Sequence, residues 1–310
     1  MLKMIENNPY RRPEAPHEAG RIESLMYFVF EREAIRIARE NGISREGWTV
    51  DPIFRKYKFT NIRRRDDRVS QWVLNNLSRP RAGDADLWFT LLAARLINWP
   101  PTLHHLLEQG ALPRKVAEFD RQRFIDAVEY FKATNPKTYS GAYMTFPGKL
   151  GYKEKSEFLS RVVLSEAANN HYDSIHAALW GRPQLVSEFV GELAKCFGVS
   201  TFMAGQVAAD LTYVPEQLGL ADDLYTWAPL GPGSQFGLNV LFGKPRYHRW
   251  SQSEFNRALV GIKEQIARTL EIEDLTLHDV QNVLCEYGKY AGFLRDGKHP
   301  KIVYYPQTEF

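Results

Sequence analysis

Apolar residues recur along most of the chain at the three- and four-residue spacing of a helix face. Leu25, Phe28, Val29, Ile35 and Ala38 follow it, as do Leu185, Val186, Phe189, Val190, Leu193 and Phe197. A third stripe, Phe255, Leu259, Ile262, Ile266 and Leu270, comes after two candidate N-caps, Ser251 and Ser253. A last helix is predicted to begin at Thr276, with Asp279 at capping-box spacing and Val280, Val283, Leu284 and Tyr287 on one face. No stretch alternates as a strand does, so the pattern predicts an all-α fold. Pro100-Pro101 and Asn135-Pro136 punctuate the helices, and residues 132–154 read as a long irregular connection. Residues 1–20, rich in proline and charge, read as an N-terminal arm, and residues 21–310 as a single helical domain with two lobes as the alternative. Aromatic residues within helices, Trp88, Phe89 and Trp180 among them, read as core.

Composition narrows the chemistry. The chain has 310 residues, of which 44% are hydrophobic, enough for a sizeable core. A net charge of +3 is small, so attraction to nucleic acid must come from local clusters of cations. Cys196 and Cys285 are the only cysteines, which argues against a disulfide framework or a zinc site, and neither metal nor cofactor is expected. The opening residues lack a signal-peptide core and no apolar run reaches membrane-spanning length, so a cytoplasmic protein without a membrane partner is expected. Gly148-Lys149, Gly243-Lys244 and Gly297-Lys298 are followed by Leu150, Pro245 and His299, which rules out a P-loop and with it a kinase of that type. There is no GxSxG, HExxH or dinucleotide fingerprint. His104 and His105 point different ways on a helix and read as structural.

The densest chemistry lies in WTVDPIFRKYKFTNIRRRDDRVSQW, Trp48 to Trp72, with seven basic residues. Lys56 and Arg64 are expected to face water. Arg55, Lys58, Arg63 and Arg68 recur at spacings that gather them on one side of two short helices joined at Phe59-Thr60-Asn61. Arginine orients phosphate through paired hydrogen bonds, so one reading is a polyanion site. The other is a solvated face paired with Asp51, Asp66 and Asp67. A second segment, APLGPGSQFGLNVL, places glycines around Pro232. Such a turn permits positive backbone dihedrals at Gly231 and Gly233 and a helix start at Ser234 whose amides form a nest for a phosphate. The plain alternative is a proline-stiffened connection.

Six pieces carry a resemblance. FEREAIRIARENG, the basic segment, GAYM at Gly141 to Met144, AADLTY at Ala208 to Tyr213, GPGSQFGL at Gly231 to Leu238 and LCEYGKY at Leu284 to Tyr290 occur in that order. The chain resembles the helical domain attached to phage 5-hydroxymethyluracil DNA kinases, and its stand-alone relatives, the α-glutamyl/putrescinyl thymine pyrophosphorylases or amino acid:DNA transferases. The resemblance implies a helical fold like that of helix-hairpin-helix DNA glycosylases, whose hairpin turn holds a backbone phosphate, although their downstream catalytic aspartate pattern is not evident. It implies an enzyme of the infected host cell that follows a 5-hydroxymethyluracil DNA kinase. That enzyme would act on double-stranded DNA carrying phosphorylated 5-hydroxymethyluracil. A free amino acid or amine would displace phosphate or pyrophosphate from the base's 5-methylene, glycine being favoured over serine, glutamate and putrescine.

The resemblance also distributes roles. Arg55, Lys58, Arg63 and Arg68 form the phosphate group, with Asp51 and Asn61 orienting them or the substrate; Asp51 alternatively caps the helix that starts at Pro52. Asp210 is either a working carboxylate or a structural partner of one of these arginines. Glu286 and Lys289 are a base and its partner, or a surface ion pair; Cys285 is a nucleophile toward the ring's C6, or a small core residue. Tyr143 and Tyr290 are candidates to contact a flipped base, and Gly231, Gly233 and Ser234 to contact DNA. A glycosylase acting on modified uracil and a non-catalytic DNA-binding module are the rival classes.

Overall fold

A computed structural model describes residues 22–141 and 151–297. Tyr143 and the predicted arm lie outside them. Among the described residues every regular element is helical and there is no strand, so the fold is all-α. The first helices are α1 (Ile22–Glu40), α2 (Pro52–Lys56), α3 (Arg68–Val73), α4 (Leu87–Ile97), α5 (Pro100–Glu108) and α6 (Arg121–Thr134). Then come α7 (Lys155–Phe158), α8 (Ser165–Asn170), α9 (Tyr172–Trp180), α10 (Val186–Leu193) and α11 (Thr201–Thr212). The last are α12 (Pro232–Leu241), α13 (Gln252–Leu270) and α14 (Leu277–Asp296). No helix among them is long and apolar enough to cross a membrane.

The chain forms two compact units, one from residues 22–67 with 230–297 and one from residues 68–229. The second is built around α4, whose residues are buried on every side, as a helix of near-continuous apolar sequence must be. Trp88, Phe89, Phe158, Phe189 and Val207 belong to the core around it. In the first unit α14 packs on α1, α12 and α13, and its Tyr287 and Tyr290 join Phe28, Phe54 and Phe59 in an aromatic cluster.

The predicted starts of the last two helices are where capping chemistry puts them. Ser251 Oγ accepts from Glu254 N at 3.3 Å while Glu254 Oε2 accepts from Ser251 N at 2.9 Å. Thr276 and Asp279 do the same at 3.2 and 3.0 Å. Three expectations fail. Phe197 is exposed, because α10 ends at Leu193 and the chain turns at Gly198 with φ +86°. The second short helix of the basic segment is a single 3-10 turn, Arg64–Asp66, and α3 begins only at Arg68. Arg64, expected in water, is buried.

The glycines around Pro232 also act differently from the expected turn. Gly231 has φ −115° and α12 starts at Pro232 itself, with no positive dihedral at Gly231 or Gly233. Gly233 and Gly237 instead let α12 approach α14: a Cβ at Gly233 would strike Cys285 Sγ, and one at Gly237 would strike the Leu284 carbonyl. Gly233→Ala is expected to destabilise the protein by roughly 1–3 kcal/mol through overpacking. Adding Cys285→Ala leaves Cβ of residue 285 as the nearest atom, 3.5 Å away, so the double variant should recover most of the loss in urea unfolding. Equal stability of both variants would show that the two helices are free to move apart.

Candidate functional site

The first unit buries an unusual amount of polar chemistry for its size, and α1 supplies much of it. Glu31, Arg32 and Glu33 are all buried within a helix that is otherwise apolar over this stretch. Burial of charge costs several kcal/mol per ion unless partners are built in, and partners are present. Arg32 Nε donates to the carbonyls of Phe59 and Thr60 at 3.2 and 3.0 Å, and Nη2 donates to Asn61 Oδ1. Its Nη1 is buried with no hydrogen-bond acceptor among the described residues. Burial depresses the Arg32 guanidinium to about 10, against the pull of Asp67, so it remains charged at neutral pH.

Asn61 stands at the centre of the loop that Arg32 holds. Its amide N donates to Asp67 Oδ1 at 2.8 Å and its Nδ2 to the Asp66 carbonyl at 2.7 Å. Asn282, on α14, donates to Thr60 Oγ1 at 2.8 Å, and Thr60 N reaches Glu286 Oε2 at 3.4 Å. Glu286 is buried and bonded to the half-exposed Lys289 one turn later. The carboxylate therefore has one oxygen on a lysine and one on a loop amide, beside a buried arginine. It is not the solvated i,i+3 pair that spacing alone allows.

Asp51 anchors a second strand of the network. It caps α2, with Oδ1 accepting from Ile53 N and Phe54 N at 2.7 and 3.2 Å. Oδ2 accepts from Tyr27 Oη at 3.1 Å and Tyr290 Oη at 2.8 Å. Tyr290 is thus buried in the aromatic cluster, its hydroxyl pushed above its usual range by burial and by Asp51, and a base could reach it only if that core opened. Thr49 links Asp51 N to Glu31 Oε2 through contacts of 3.0 Å each.

The cations of the basic segment are dispersed. Arg55 Nε and Nη2 donate to the carbonyls of Thr49 and Glu46 at 2.8 and 3.2 Å, so this side chain ties down the preceding loop. Arg63 pairs with Asp66 at 3.0 Å and with Asp274 at 3.7 Å. Lys58 is exposed without an ionic partner among the described residues, and Arg68 opens α3 in the second unit. Arg64 lies beside His278, which burial and then the Arg64 charge push down to about 3, so this imidazole is neutral. Cys285, packed on Gly233, is raised by burial to about 11. A thiol in that state is a poor nucleophile at neutral pH. Ser234 is fully occupied: it donates to the Gly231 carbonyl and accepts from Gly231 N and Gln281 Nε2 at 3.0 and 3.3 and 3.3 Å.

Asp210 belongs to another network. In the second unit it faces Arg95, which donates Nε to Oδ2 at 2.5 Å and Nη2 to Oδ1; Arg95 also reaches Asn98 at 3.1 Å and Ser70 at 3.0 Å. Its arginine comes from α4 and not from the basic segment.

The carboxyl of Asp67 turns inward onto Asn61 N although the residue as a whole is half-buried. Burial raises it from 3.8 to about 6, against the bond from Asn61 and the charges of Arg64 and Arg32. The folded protein thus holds this proton more tightly than the unfolded chain does. The stabilisation is complete below about pH 4 and is lost as pH rises through about 6. Comparing unfolding midpoints of the wild type and Asp67→Asn from pH 4 to 7 should show the wild type losing ground to the variant as pH rises. Parallel curves would remove Asp67 from the list of titrating groups.

The sequence profile of the 5-hmdU DNA kinase helical domain matches residues 20–299. The chain belongs to this family. The 5-hmdU DNA kinase of Bacillus phage SP10 is 26% identical over 242 residues, which cover 73% of this chain and 37% of that kinase. The chain therefore spans well under half the length of that relative. No solved structure matches. The helical-domain profile takes in both networks. Arg32, Asn282 and Arg95 carry no motif or spacing that points to them in the sequence. The available signal was charge inside apolar helices, at Glu31 and Arg32 in α1 and at Arg95 in α4.

Proposed function

We propose that this protein acts in hydroxymethyluracil DNA modification, as the enzyme that joins an amino acid, glycine foremost, or an amine to phosphorylated 5-hydroxymethyluracil in DNA. The amine nitrogen forms a bond to the 5-methylene carbon, the carbon–oxygen bond breaks, and phosphate or pyrophosphate leaves with the electron pair. The amine proton passes to a base. The observation that carries the reading is Glu286: a buried carboxylate held by Lys289 and the Thr60 amide, with Arg32 close by, within a chain matched almost throughout by the helical-domain profile. A base of this kind is typically worth 10²–10⁴-fold in rate. Lys289 and Arg32 supply positive charge for a leaving phosphate or for the donor's own carboxylate. Extrusion of the base from the duplex costs roughly a few kcal/mol, which DNA contacts must offset.

The test is incubation of the protein with DNA carrying phosphorylated 5-hydroxymethyluracil and mixed amino acids and polyamines, followed by mass spectrometry of the nucleosides. An amino-substituted thymidine, with glycine the leading donor, is expected. Free base and abasic sites would show a glycosylase, and unchanged nucleosides a binding module.

A further inference from the structure

Beyond the transfer site, we propose that the loop between α12 and α13 is a preformed DNA-docking platform, whose cations contact phosphates and whose exposed aromatic rings meet bases or sugars. The proposal rests on the reading of DNA as substrate. Its loop runs Phe242-Gly-Lys-Pro-Arg-Tyr-His-Arg-Trp250, and no Asp or Glu occurs between Asp223 and Glu254. Lys244, Arg246 and Arg249 are exposed and make no ion pair among the described residues. Glu254, the next acid along the chain, is taken up by the N and Oγ of Ser251. Three unpaired cations without a compensating carboxylate are what counterion release on a polyanion requires.

The rings decide what kind of polyanion fits. Tyr247 is 83% exposed and Phe242, edge-on to Trp250, 50% exposed, so two aromatic surfaces stand open beside the three cations and can stack on bases. Arg246 lies 4.9 Å from the Phe236 ring centre and 5.8 Å from that of Tyr247, so its guanidinium is within cation–π range of both rings. Alternation of cations with stacking surfaces is the chemistry of nucleic-acid strands; a simple anion such as phosphate has no use for the rings.

The loop is also held in shape from below. Asn239, completely buried on α12, donates Nδ2 to the carbonyls of Arg246 and His248 at 3.2 and 2.9 Å and accepts from Trp250 Nε1 at 2.5 Å. Lys244 N returns to the Asn239 carbonyl at 2.8 Å, helped by Gly243 at φ +61°. One buried amide thus fixes three points of an exposed loop, which lowers the ordering cost of binding. It places DNA contact at the C-terminal end of α12, whereas the sequence pointed to the turn at its N-terminal end.

The test measures binding of the full chain to an unmodified duplex and an unmodified single strand across a range of salt. Lys244→Ala/Arg246→Ala/Arg249→Ala is expected to weaken binding by roughly tenfold or more and to reduce the slope of log affinity on log salt by about 2–3, at about 0.9 per duplex phosphate lost. Tyr247→Ala is expected to weaken binding with the slope unchanged. In the transfer assay both variants should raise KM and leave kcat near wild type. All of these side chains are exposed, so circular dichroism should show intact folding. Wild-type affinity and slope in the triple variant would overturn the platform, and wild-type affinity of Tyr247→Ala on both DNAs would overturn the part given to the ring. A wild-type protein that binds neither DNA would overturn the DNA reading itself, a failure distinct from that of the loop alone.

Discussion

Asp210→Ala is expected to lower the stability of the second unit by roughly 3–5 kcal/mol, because it leaves Arg95 buried without its carboxylate. Both side chains are almost fully enclosed, and Asn98 and Ser70 can accept only part of what Arg95 donates. At about 2–4 °C per kcal/mol for a unit of this size, the melting midpoint should fall by roughly 6–20 °C. Replacing both partners, as Arg95→Met with Asp210→Leu, should restore much of the loss, since neither charge is then stranded. Calorimetry on the single and double variants checks this. If Asp210→Ala melts with the wild type while transfer is lost, the carboxylate has a chemical role and the structural assignment falls.

Glu286→Gln is expected to reduce transfer by roughly 10²–10⁴-fold with the fold retained, since shape and helix propensity hardly change while the proton acceptor is lost. The loss should be partly relieved at higher pH, where more of the incoming amine is already deprotonated. A solvated Glu–Lys pair would be worth roughly 0–1 kcal/mol and its loss would leave activity near normal. A pH–rate profile of the variant that overlays the wild type would remove Glu286 from the chemistry.

The helices were legible where the code is local. A capping box needs only a threonine and an aspartate three residues apart, and the one at Thr276 could be read without knowing any tertiary contact. Arg64 was not legible, because it sits in a run of charged residues, Arg63 to Arg68, that reads as a solvated face. What buries it is α14, more than two hundred residues away, where Asp279 Oδ1 accepts its backbone N–H at 2.8 Å. The same holds for Gly233. Sequence shows a glycine beside a proline and suggests a turn, yet the demand for a hydrogen in place of a side chain comes from Cys285 on the facing helix. In the candidate site, Glu286 and Lys289 were visible as a pair, but Arg32 and Asn282 were not. Their partners are carbonyls and side chains of the Phe59–Asn61 loop, which is distant from both in sequence, so neither pairing leaves a local pattern.

The two-part make-up of the first unit bears on how the protein comes into being. Its α1 and its Asp51 loop are synthesised before residues 68–229, and α12, α13 and α14 only after them. At about 5–20 residues per second, Tyr27 and Asp51 wait roughly ten seconds to most of a minute for Tyr290 to emerge from the ribosome. During that interval the second unit has all of its own chain and can close around α4, and Glu31 and Arg32 already have Thr49 and the Phe59–Asn61 loop within reach, but the face of α1 that packs on α13 and α14 has nothing to cover it. The nascent chain is then half native and half adhesive, and α1 is the part that a chaperone would have to shield until α14 has emerged.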